Sequence, residues 1–150
     1  MDVTLFDIRN IQNAVPGLKF AMADVQTSTQ EYIEAFDSVS SLHAIEHFGL
    51  GRYGDPLSTE GHINGLINIS MCVKKGGYLY LSFPVGKDEI HFNAQRVLKP
   101  DWPLGILTGF LVEEVVLIPW RGEPVKIKDF SEVDENKLGQ AILYRFKRFT

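Results

Sequence analysis

The sequence has 150 residues, of which 45% are hydrophobic and 23% are charged. These values are typical of one globular domain and exclude a disordered, collagenous or low-complexity chain. The 15 basic residues are outnumbered by 19 acidic ones, so the formal net charge is -4 and the basic excess that nucleic-acid binding requires is missing. We therefore expect a single domain over residues 1–150 that does not bind nucleic acid.

The termini and the hydropathy pattern predict a cytoplasmic protein without membrane contact. The sequence begins Met1-Asp2, with neither the basic region nor the long apolar run of a signal peptide. The longest stretch without Asp, Glu, Lys or Arg is residues 61–73, well below the roughly 18 residues that a membrane-spanning helix needs. The single cysteine, Cys72, lies in an apolar stretch, so an intrachain disulfide is excluded and burial is expected.

Six short apolar segments predict β-strands. They are rich in β-branched and aromatic residues and are bounded by residues typical of turns. The segments are residues 3–8 (VTLFDI), 18–23 (LKFAMA), 36–42 (FDSVSSL), 78–83 (YLYLSF), 111–118 (LVEEVVLI) and 141–149 (AILYRFKRF). The last segment alternates in part between apolar and polar residues, which favours an antiparallel position.

Two helices are predicted between these strands. One covers residues 27–35 and begins at Ser/Thr caps. The other begins after Ser58 or Thr59, has one apolar face, and ends at Gly76-Gly77. Strands that alternate with helical or looped connections indicate an open α/β sheet, in which ligands bind at the carboxyl ends of the strands.

Two segments resemble the class I S-adenosylmethionine-dependent methyltransferases. FDSVSSLHAIEHFG, residues 36–49, is similar to the fourth-strand segment of that family, in which an Asp-bearing strand precedes a Glu-His pair; here these are Asp37 and Glu46-His47. VKKGGYLYLSFP, residues 73–84, is similar to the fifth strand, where a Gly-Gly turn opens a hydrophobic run. The resemblance implies an α/β, Rossmann-like methyltransferase sheet.

The resemblance begins at the second strand of the family. Nothing before Val3 matches the glycine-rich turn of the first strand, so we expect a minimal sheet without the usual first strand and helix. The resemblance places Asp7 where an acidic residue accepts hydrogen bonds from the ribose hydroxyls of S-adenosylmethionine, and Asp24 near the adenine amino group. The alternative role of these two carboxylates, which lie at or near the ends of predicted strands, is to cap turns.

Two loops carry a narrower resemblance. GLGRYGDP, residues 49–56, and PVGKDEIHFNAQRV, residues 84–97, resemble an uncharacterised methyltransferase-like family. Methylation of a sugar or a related polar metabolite is implied by the fold alone. Both segments follow strands, so their polar side chains are expected to meet in one crevice. The residues expected there are Glu46, His47, Arg52, Tyr53, Asp55, Lys87, His91, Asn93 and Arg96.

Side-chain chemistry suggests roles for these residues. His47, together with Glu46, is the candidate catalytic group that accepts a proton from an acceptor hydroxyl, and the reaction needs no metal. Arg52 and Arg96 are candidates to bind a carboxylate or phosphate. The residues expected on the substrate side are Arg52, Tyr53, Asp55, Asn93 and Arg96. The alternatives are that Glu46-His47 opens a helix and that Arg52 and Asp55 form an ion pair holding the glycine loop.

Three further patterns have competing interpretations. Residues 43–47 (HAIEH) match the H-x-x-E-H pattern of inverted zinc peptidases, but that site needs a sustained helix and glycines follow closely. Residues 49–54 (GLGRYG) spell G-x-G-x-x-G without opening a helix directly from a strand, so we predict a substrate-side loop rather than a dinucleotide site. Residues 102–110 (WPLGILTGF) fit a lid, a dimer contact or a buried connection, of which we favour burial.

The sequence thus predicts transfer of a methyl group from S-adenosylmethionine to a small polar acceptor. The alternative is a noncatalytic binding or assembly module that keeps the sheet and the polar crevice without holding the cofactor. A second copy of the chain would complete an exposed sheet crevice, so we expect a homo-oligomer, and a concentration-independent monomer in sedimentation would contradict this.

Overall fold

The computed structural model describes residues 2–12 and 15–150, and its regular elements are nine β-strands and one α-helix within those ranges. The strands are β1 (Val3–Asp7), β2 (Leu18–Met22), β3 (Phe36–Leu42), β4 (Val73–Val85), β5 (Glu89–His91), β6 (Gln95–Val97), β7 (Phe110–Ile118), β8 (Val125–Lys126) and β9 (Gln140–Arg148). The helix α1 is Gly61–Met71, and short 3₁₀ turns occur at Gln30–Tyr32, Ile45–His47, Trp102–Gly105 and Phe130–Glu132. All six predicted strands are present, and the α/β class is as expected.

Five strands form the main sheet in the order β3-β4-β9-β7-β8. β3 and β4 are parallel, which requires the crossover that α1 supplies. β9 lies between β4 and β7 and is antiparallel to both. The antiparallel position predicted for the last strand is therefore confirmed.

The other two parallel strands, β1 and β2, pair with each other and not with the main sheet. This corrects the expectation of one sheet containing all six strands. Aromatic rings connect the pair to the start of β3: the Phe6 ring centroid lies 4.8 Å from that of Tyr32 and 5.8 Å from that of Phe36. Side-chain packing therefore replaces a backbone ladder at this junction.

The core lies between α1 and one face of the main sheet. Leu66 of α1 is fully buried, as are Leu79, Leu81 and Phe83 of β4. From β9, the buried ring of Tyr144 stacks on Phe83, with 6.1 Å between ring centroids. Burial of such apolar side chains contributes about 1.5 to 3 kcal/mol each, so this layer supplies much of the stability that holds the strand ends in place.

The helix predicted over residues 27–35 is wrong apart from the single 3₁₀ turn at Gln30–Tyr32. Side-chain hydrogen bonds fasten this segment to α1 instead. The Thr29 hydroxyl donates to the Asn68 carbonyl oxygen at 3.0 Å, and the Asn68 side chain donates to the Val25 carbonyl oxygen at 2.8 Å. These tertiary contacts compete with the local hydrogen bonds of a helix.

The second helix is confirmed, but both of its predicted ends are wrong. Its N-cap is Glu60, and no side chain caps it. It ends at Met71, and Gly76-Gly77 lies within β4, where the pairing of β3 and β4 shifts register between Phe36 and Ser38. The Gly-Gly pair therefore forms a bulge in a strand rather than the end of a helix.

Two smaller expectations concern burial. Cys72 is buried, as predicted. In the segment 102–110, Pro103 and Leu107 are buried while Leu104 is 43% exposed, so most of it serves as a packed connection. Within the described residues, no helix is long and apolar enough to cross a membrane.

Candidate functional site

A cavity of about 240 Å³ lies at the carboxyl ends of β1, β2 and β3. This is the edge at which open α/β sheets bind ligands. The polar residues lining it are Asp7, Arg9, Asp24, Gln26, His43, His47, Tyr53 and Asp55. Five predicted site residues are thus brought together, namely Asp7, Asp24, His47, Tyr53 and Asp55.

Asp7 is the last residue of β1, and its carboxylate is bound by Arg9. Its Oδ1 accepts hydrogen bonds from the Arg9 backbone N–H at 2.8 Å and from Nε at 2.9 Å, while Oδ2 accepts from Nη2 at 2.8 Å. The side-chain hydrogen bonds from Arg9 lower the pKa of Asp7 below its ordinary value. The Arg9 guanidinium also lies 4.8 Å from the Tyr53 ring centroid, so this side chain bridges β1 and the glycine loop (residues 49–54).

Asp24 follows β2 and caps the turn after it. Its Oδ1 accepts the backbone N–H of Gln26 at 3.0 Å, which is the capping role weighed as an alternative for this residue. The Gln26 side chain in turn donates to Asp55 Oδ2 at 3.5 Å. Asp24 therefore combines a structural hydrogen bond with a place in the cavity wall.

Glu46 lies between two histidines in the 3₁₀ turn that follows β3. Its side chain is 1% exposed, and Oε1 lies 3.1 Å from His43 Nδ1 and 3.9 Å from His47 Nε2. Oε2 has no hydrogen-bond partner among the described residues. The hydrogen bond with Glu46 raises the pKa of His43 above its ordinary value, because the carboxylate stabilises the imidazolium.

The other ring nitrogen of His47 is held by the loop between β5 and β6. Its Nδ1 lies 2.6 Å from the Ala94 carbonyl oxygen. A carbonyl oxygen only accepts, so Nδ1 carries the proton and Nε2 of the neutral ring has the free lone pair. The structure thus sets the tautomer that a general base needs.

The same residues bear on the H-x-x-E-H pattern. The segment is a 3₁₀ turn over Ile45–His47, and His43 precedes it with a φ of 51°. The two histidines therefore do not share a helical face, which that zinc site requires. Among the residues that the structure describes, no group of three or more His, Cys, Asp or Glu side chains is placed to hold a metal ion.

Asp55 holds the glycine loop. It is 8% exposed, and its Oδ2 accepts the N–H of Gly49 at 2.7 Å and of Gly51 at 3.4 Å, while Oδ1 accepts the N–H of Tyr53 at 3.2 Å. Burial by itself raises the pKa of Asp55, but the backbone hydrogen bonds from Tyr53 and Gly49 bring it below the ordinary value. Asp55 thus holds the loop through backbone hydrogen bonds and not through the alternative ion pair with Arg52, and because it also lines the cavity, its expected substrate contact stays a prediction.

Arg96 also holds backbone rather than facing a ligand. It is 3% exposed, its Nη1 donates to the Phe48 carbonyl oxygen, and its Nη2 donates to the Ser58 carbonyl oxygen at 3.2 Å. The contacts of Arg96 are thus structural, and the anion-binding role expected of it stays a prediction. Its buried guanidinium satisfies carbonyl groups on both sides of the glycine loop, which would otherwise lack donors.

Three of the predicted substrate residues do not line the cavity, namely Arg52, Asn93 and Arg96. Arg52 is at its rim, where Nη1 donates to the Ala94 carbonyl oxygen at 3.0 Å. Asn93 is exposed between β5 and β6 with a φ of 53°, and it does not line the cavity. The sequence interpretation missed Arg9, whose only local signal is its position two residues after Asp7.

His62, beside this site on α1, predicts an acid-sensitive stability. Burial lowers its pKa to about 4, and its ring stacks on Trp102 at 5.3 Å between centroids. The unfolded chain takes up this proton near pH 6.5 and the folded chain does not, so the free energy of unfolding falls as the pH drops from about 6.5 towards 4. We expect His62→Phe, which keeps an aromatic ring, to flatten this decline in urea titrations. An unchanged pH profile would contradict the assignment.

The family described as "Caenorhabditis protein of unknown function, DUF268" matches residues 7–111, which is more than half of the chain. The chain belongs to this family. The match contains β2, β3, α1 and β4 in full but only Asp7 of β1, and it includes every residue of the cavity wall except Phe6. No curated protein matches the sequence.

Solved structures of methyltransferases share the fold. N-methyltransferase NodS from Bradyrhizobium japonicum WM9, in complex with S-adenosyl-L-homocysteine, has a TM-score of 0.59 at 13% identity over 98% of this chain and 66% of that one. The 1,6-didemethyltoxoflavin-N1-methyltransferase of Burkholderia thailandensis has a TM-score of 0.62 at 12% identity over 99% and 61%. The 16S rRNA (adenine(1408)-N(1))-methyltransferase of Catenulisporales acidiphilia, a W203A mutant, has a TM-score of 0.52 at 15% identity over 90% and 60%.

These likenesses show a Rossmann-like methyltransferase fold. The DUF268 chain spans just under two thirds of the NodS length and less of the other two. Identities of this size relate the folds and not the substrates, which differ in kind between the toxoflavin-precursor and 16S rRNA methyltransferases. The α/β methyltransferase-like class inferred from residues 36–49 and 73–84 is confirmed.

Proposed function

We propose that the chain binds S-adenosylmethionine in the cavity at the carboxyl ends of β1, β2 and β3 and transfers its methyl group to a small polar acceptor such as a sugar or a related metabolite. One observation carries this proposal. Asp7, Asp24 and His47, which the sequence resemblance picks out in three different segments, line a single cavity in a fold shared with S-adenosylmethionine-dependent methyltransferases.

The chemistry of the cavity wall fits the cofactor. Asp7 and Asp24 offer carboxylate acceptors for ribose hydroxyls and an adenine amino group. Together with Asp55 they outnumber the single arginine of the wall, Arg9, and a negative cavity favours a sulfonium cation. Ribose hydroxyls that bind Asp7 would either share its carboxylate with Arg9 or displace the Arg9 guanidinium. The cavity is smaller than the roughly 300 Å³ at which ligand pockets begin, so part of the cofactor would extend beyond it.

When bound, S-adenosylmethionine supplies an electrophilic methyl group. The part of this chain is to remove a proton from the acceptor, for which Nε2 of His47 is available because Nδ1 is committed to Ala94. Glu46 Oε1 lies 3.9 Å from Nε2 of the same histidine. Proton transfer by such a group contributes about 10² to 10⁴ in rate.

Calorimetry with S-adenosylmethionine and S-adenosylhomocysteine tests the cofactor site. We expect the wild-type chain to bind both, and Asp7→Ala and Asp24→Asn each to weaken binding by about 1 to 3 kcal/mol through the lost carboxylate. Asp37→Asn is the matched control, because Asp37 lies at the amino end of β3, with its side chain 91% exposed and paired with Lys74. Absence of binding at millimolar ligand in a folded wild-type chain would contradict the proposal.

A noncatalytic binding module is the second candidate. The hydrogen bonds from Arg9 to both oxygens of Asp7 favour it, because they satisfy the carboxylate without a ligand. The same titration separates the two candidates. A chain that binds neither adenosyl compound, and in which Arg9→Gln does not restore binding, is not a methyltransferase.

A further inference from the structure

The charge of Arg52 is not neutralised within the molecule. Its side chain is exposed, and no carboxylate lies within 4.0 Å of it in the described part of the chain, whereas three other arginines have such partners. Those pairs are Arg9–Asp7, Arg145–Glu113 and Arg148–Glu34. Arg96 is buried against carbonyl oxygens, so Arg52 is the arginine beside the cavity whose charge is available to a ligand.

A shared acceptor places this charge beside the proposed base. Arg52 Nη1 and His47 Nδ1 donate to the same Ala94 carbonyl oxygen, at 3.0 and 2.6 Å. The Tyr53 ring packs against both, with its centroid 5.5 Å from the Arg52 guanidinium carbon and 5.7 Å from the His47 ring centroid. A ligand that contacts His47 from the side of Arg52 can therefore also bind the guanidinium, if its anionic group is a few bonds away from the group at His47.

The hydrogen bond to Ala94 uses only part of what Arg52 can offer. A guanidinium has five N–H donors in a planar fork, and Nη1 is the only atom of Arg52 bonded in the described structure. The fork matches the oxygens of a carboxylate or a phosphate, which it binds through two parallel hydrogen bonds. An uncharged sugar would leave this charge without a partner.

We propose that Arg52 is the anion-binding residue of the acceptor site, and that the acceptor is a small organic acid whose carboxylate or phosphate lies a few bonds from the reacting hydroxyl. This inference rests on the proposed function and narrows its polar acceptor to an anionic one. The anion binds at Arg52 and orients the hydroxyl towards His47 Nε2. Arg52 thus determines substrate specificity.

The test compares matched probes on the wild-type chain by calorimetry, with and without S-adenosylhomocysteine. The probes are glycerate, glycerol 3-phosphate and glycerol, all of which have adjacent hydroxyl groups. Glycerate also has a carboxylate and glycerol 3-phosphate a phosphate, whereas glycerol has no charged group. We expect one of the two anions to bind about tenfold or more tightly than glycerol, and the preferred one to identify carboxylate or phosphate as the recognised group. Equal affinities for all three, or no binding of either anion, would overturn the inference.

Arg52→Gln separates anion binding from a structural role. Glutamine keeps a polar side chain with N–H donors but loses the charge and ends two bonds short of Nη1, so the unfolding midpoint is measured beside the affinity to detect any cost of the lost Ala94 contact. We expect this variant to lose about tenfold or more in affinity for the preferred anion while its unfolding midpoint stays unchanged. Arg121→Gln is the matched control, since Arg121 is an exposed arginine of the loop between β7 and β8. Equal anion affinity in Arg52→Gln and the wild type would overturn the assignment.

The proposed function and this inference fail separately. If S-adenosylhomocysteine binds but no probe shows a preference that depends on Arg52, the cofactor site stands and the anionic acceptor is wrong. If an anion binds through Arg52 but neither adenosyl compound binds, the anion site stands and methyl transfer is wrong.

Discussion

Gly49→Ala is expected to lower the free energy of unfolding by about 3 kcal/mol or more and to abolish binding at the cavity. Gly49 has a φ of 76°, a conformation unfavourable for alanine, and a Cβ there would lie 2.2 Å from the Ser58 carbonyl oxygen. That oxygen belongs to the backbone and also accepts a hydrogen bond from Arg96, so it cannot move without disturbing the loop. The measurement is urea denaturation, followed by calorimetry on the folded fraction.

Gly54→Ala is the matched control for this clash. Gly54 belongs to the same loop and has a φ of 86°, but nothing lies within 4 Å of a Cβ placed there. We expect it to cost about 1 to 2 kcal/mol, which is the backbone cost alone. If the two variants are equally stable, the close approach of Gly49 to Ser58 does not contribute, and the loop is less tightly packed than described.

Asp55→Ala is expected to destabilise the protein by about 2 to 4 kcal/mol, because it leaves the N–H groups of Gly49, Gly51 and Tyr53 without an acceptor. The loop should then lose its shape, and with it the positions of Tyr53 and Arg52. The free energy of unfolding by urea and the affinity for S-adenosylhomocysteine are the two readouts. Asp88→Ala is the control, since Asp88 is exposed and accepts the Lys99 N–H at 3.0 Å. A loss no greater than that of the control would contradict the clamp.

The low pKa of Asp55 adds a pH dependence of known sign. The folded chain holds this carboxyl ionised at a lower pH than the unfolded chain does. Its contribution to the free energy of unfolding is therefore complete above about pH 5 and is lost as the pH falls through the folded pKa. In Asp55→Asn this part of the acid dependence should be absent. Retention of the full wild-type acid dependence in that variant would contradict the role assigned to the carboxylate.

Local sequence patterns were sufficient for the strands and for the edge at which the cavity forms. Residues 3–8, 18–23 and 36–42 carry apolar runs ended by turn residues, and such runs form strands almost wherever they are placed. Because β1 and β2 are parallel neighbours, Asp7 and Asp24 meet at their carboxyl ends, whereas the packing of Phe6 against Tyr32 and Phe36 brings this pair of strands to β3 and so to His47.

Residue roles within the site depended on the tertiary structure. The sequence contains three charged residues of predicted loops, Asp55, Arg96 and Arg52, with nothing to distinguish their roles. In the structure Asp55 and Arg96 are buried and bind backbone groups, whereas Arg52 keeps a charge without an ionic partner. Burial and hydrogen-bond partners decide between these roles, and for Arg96 the partners lie 38 and 48 residues away in the chain. No local pattern encodes a separation of that size.

Long-range contacts determined where α1 ends and why residues 27–35 do not form a helix. Gly76-Gly77 resembles a helix end in sequence but forms a bulge because β4 pairs with β3 on both sides of it. Residues 27–35 begin with good helix caps, but hydrogen bonds between Thr29, Asn68 and Val25 hold the segment in another conformation. Helix propensity contributes less than about 1 kcal/mol per residue for ordinary residues, and one tertiary hydrogen bond contributes roughly as much. A few long-range contacts are therefore enough to override the local preference of these segments.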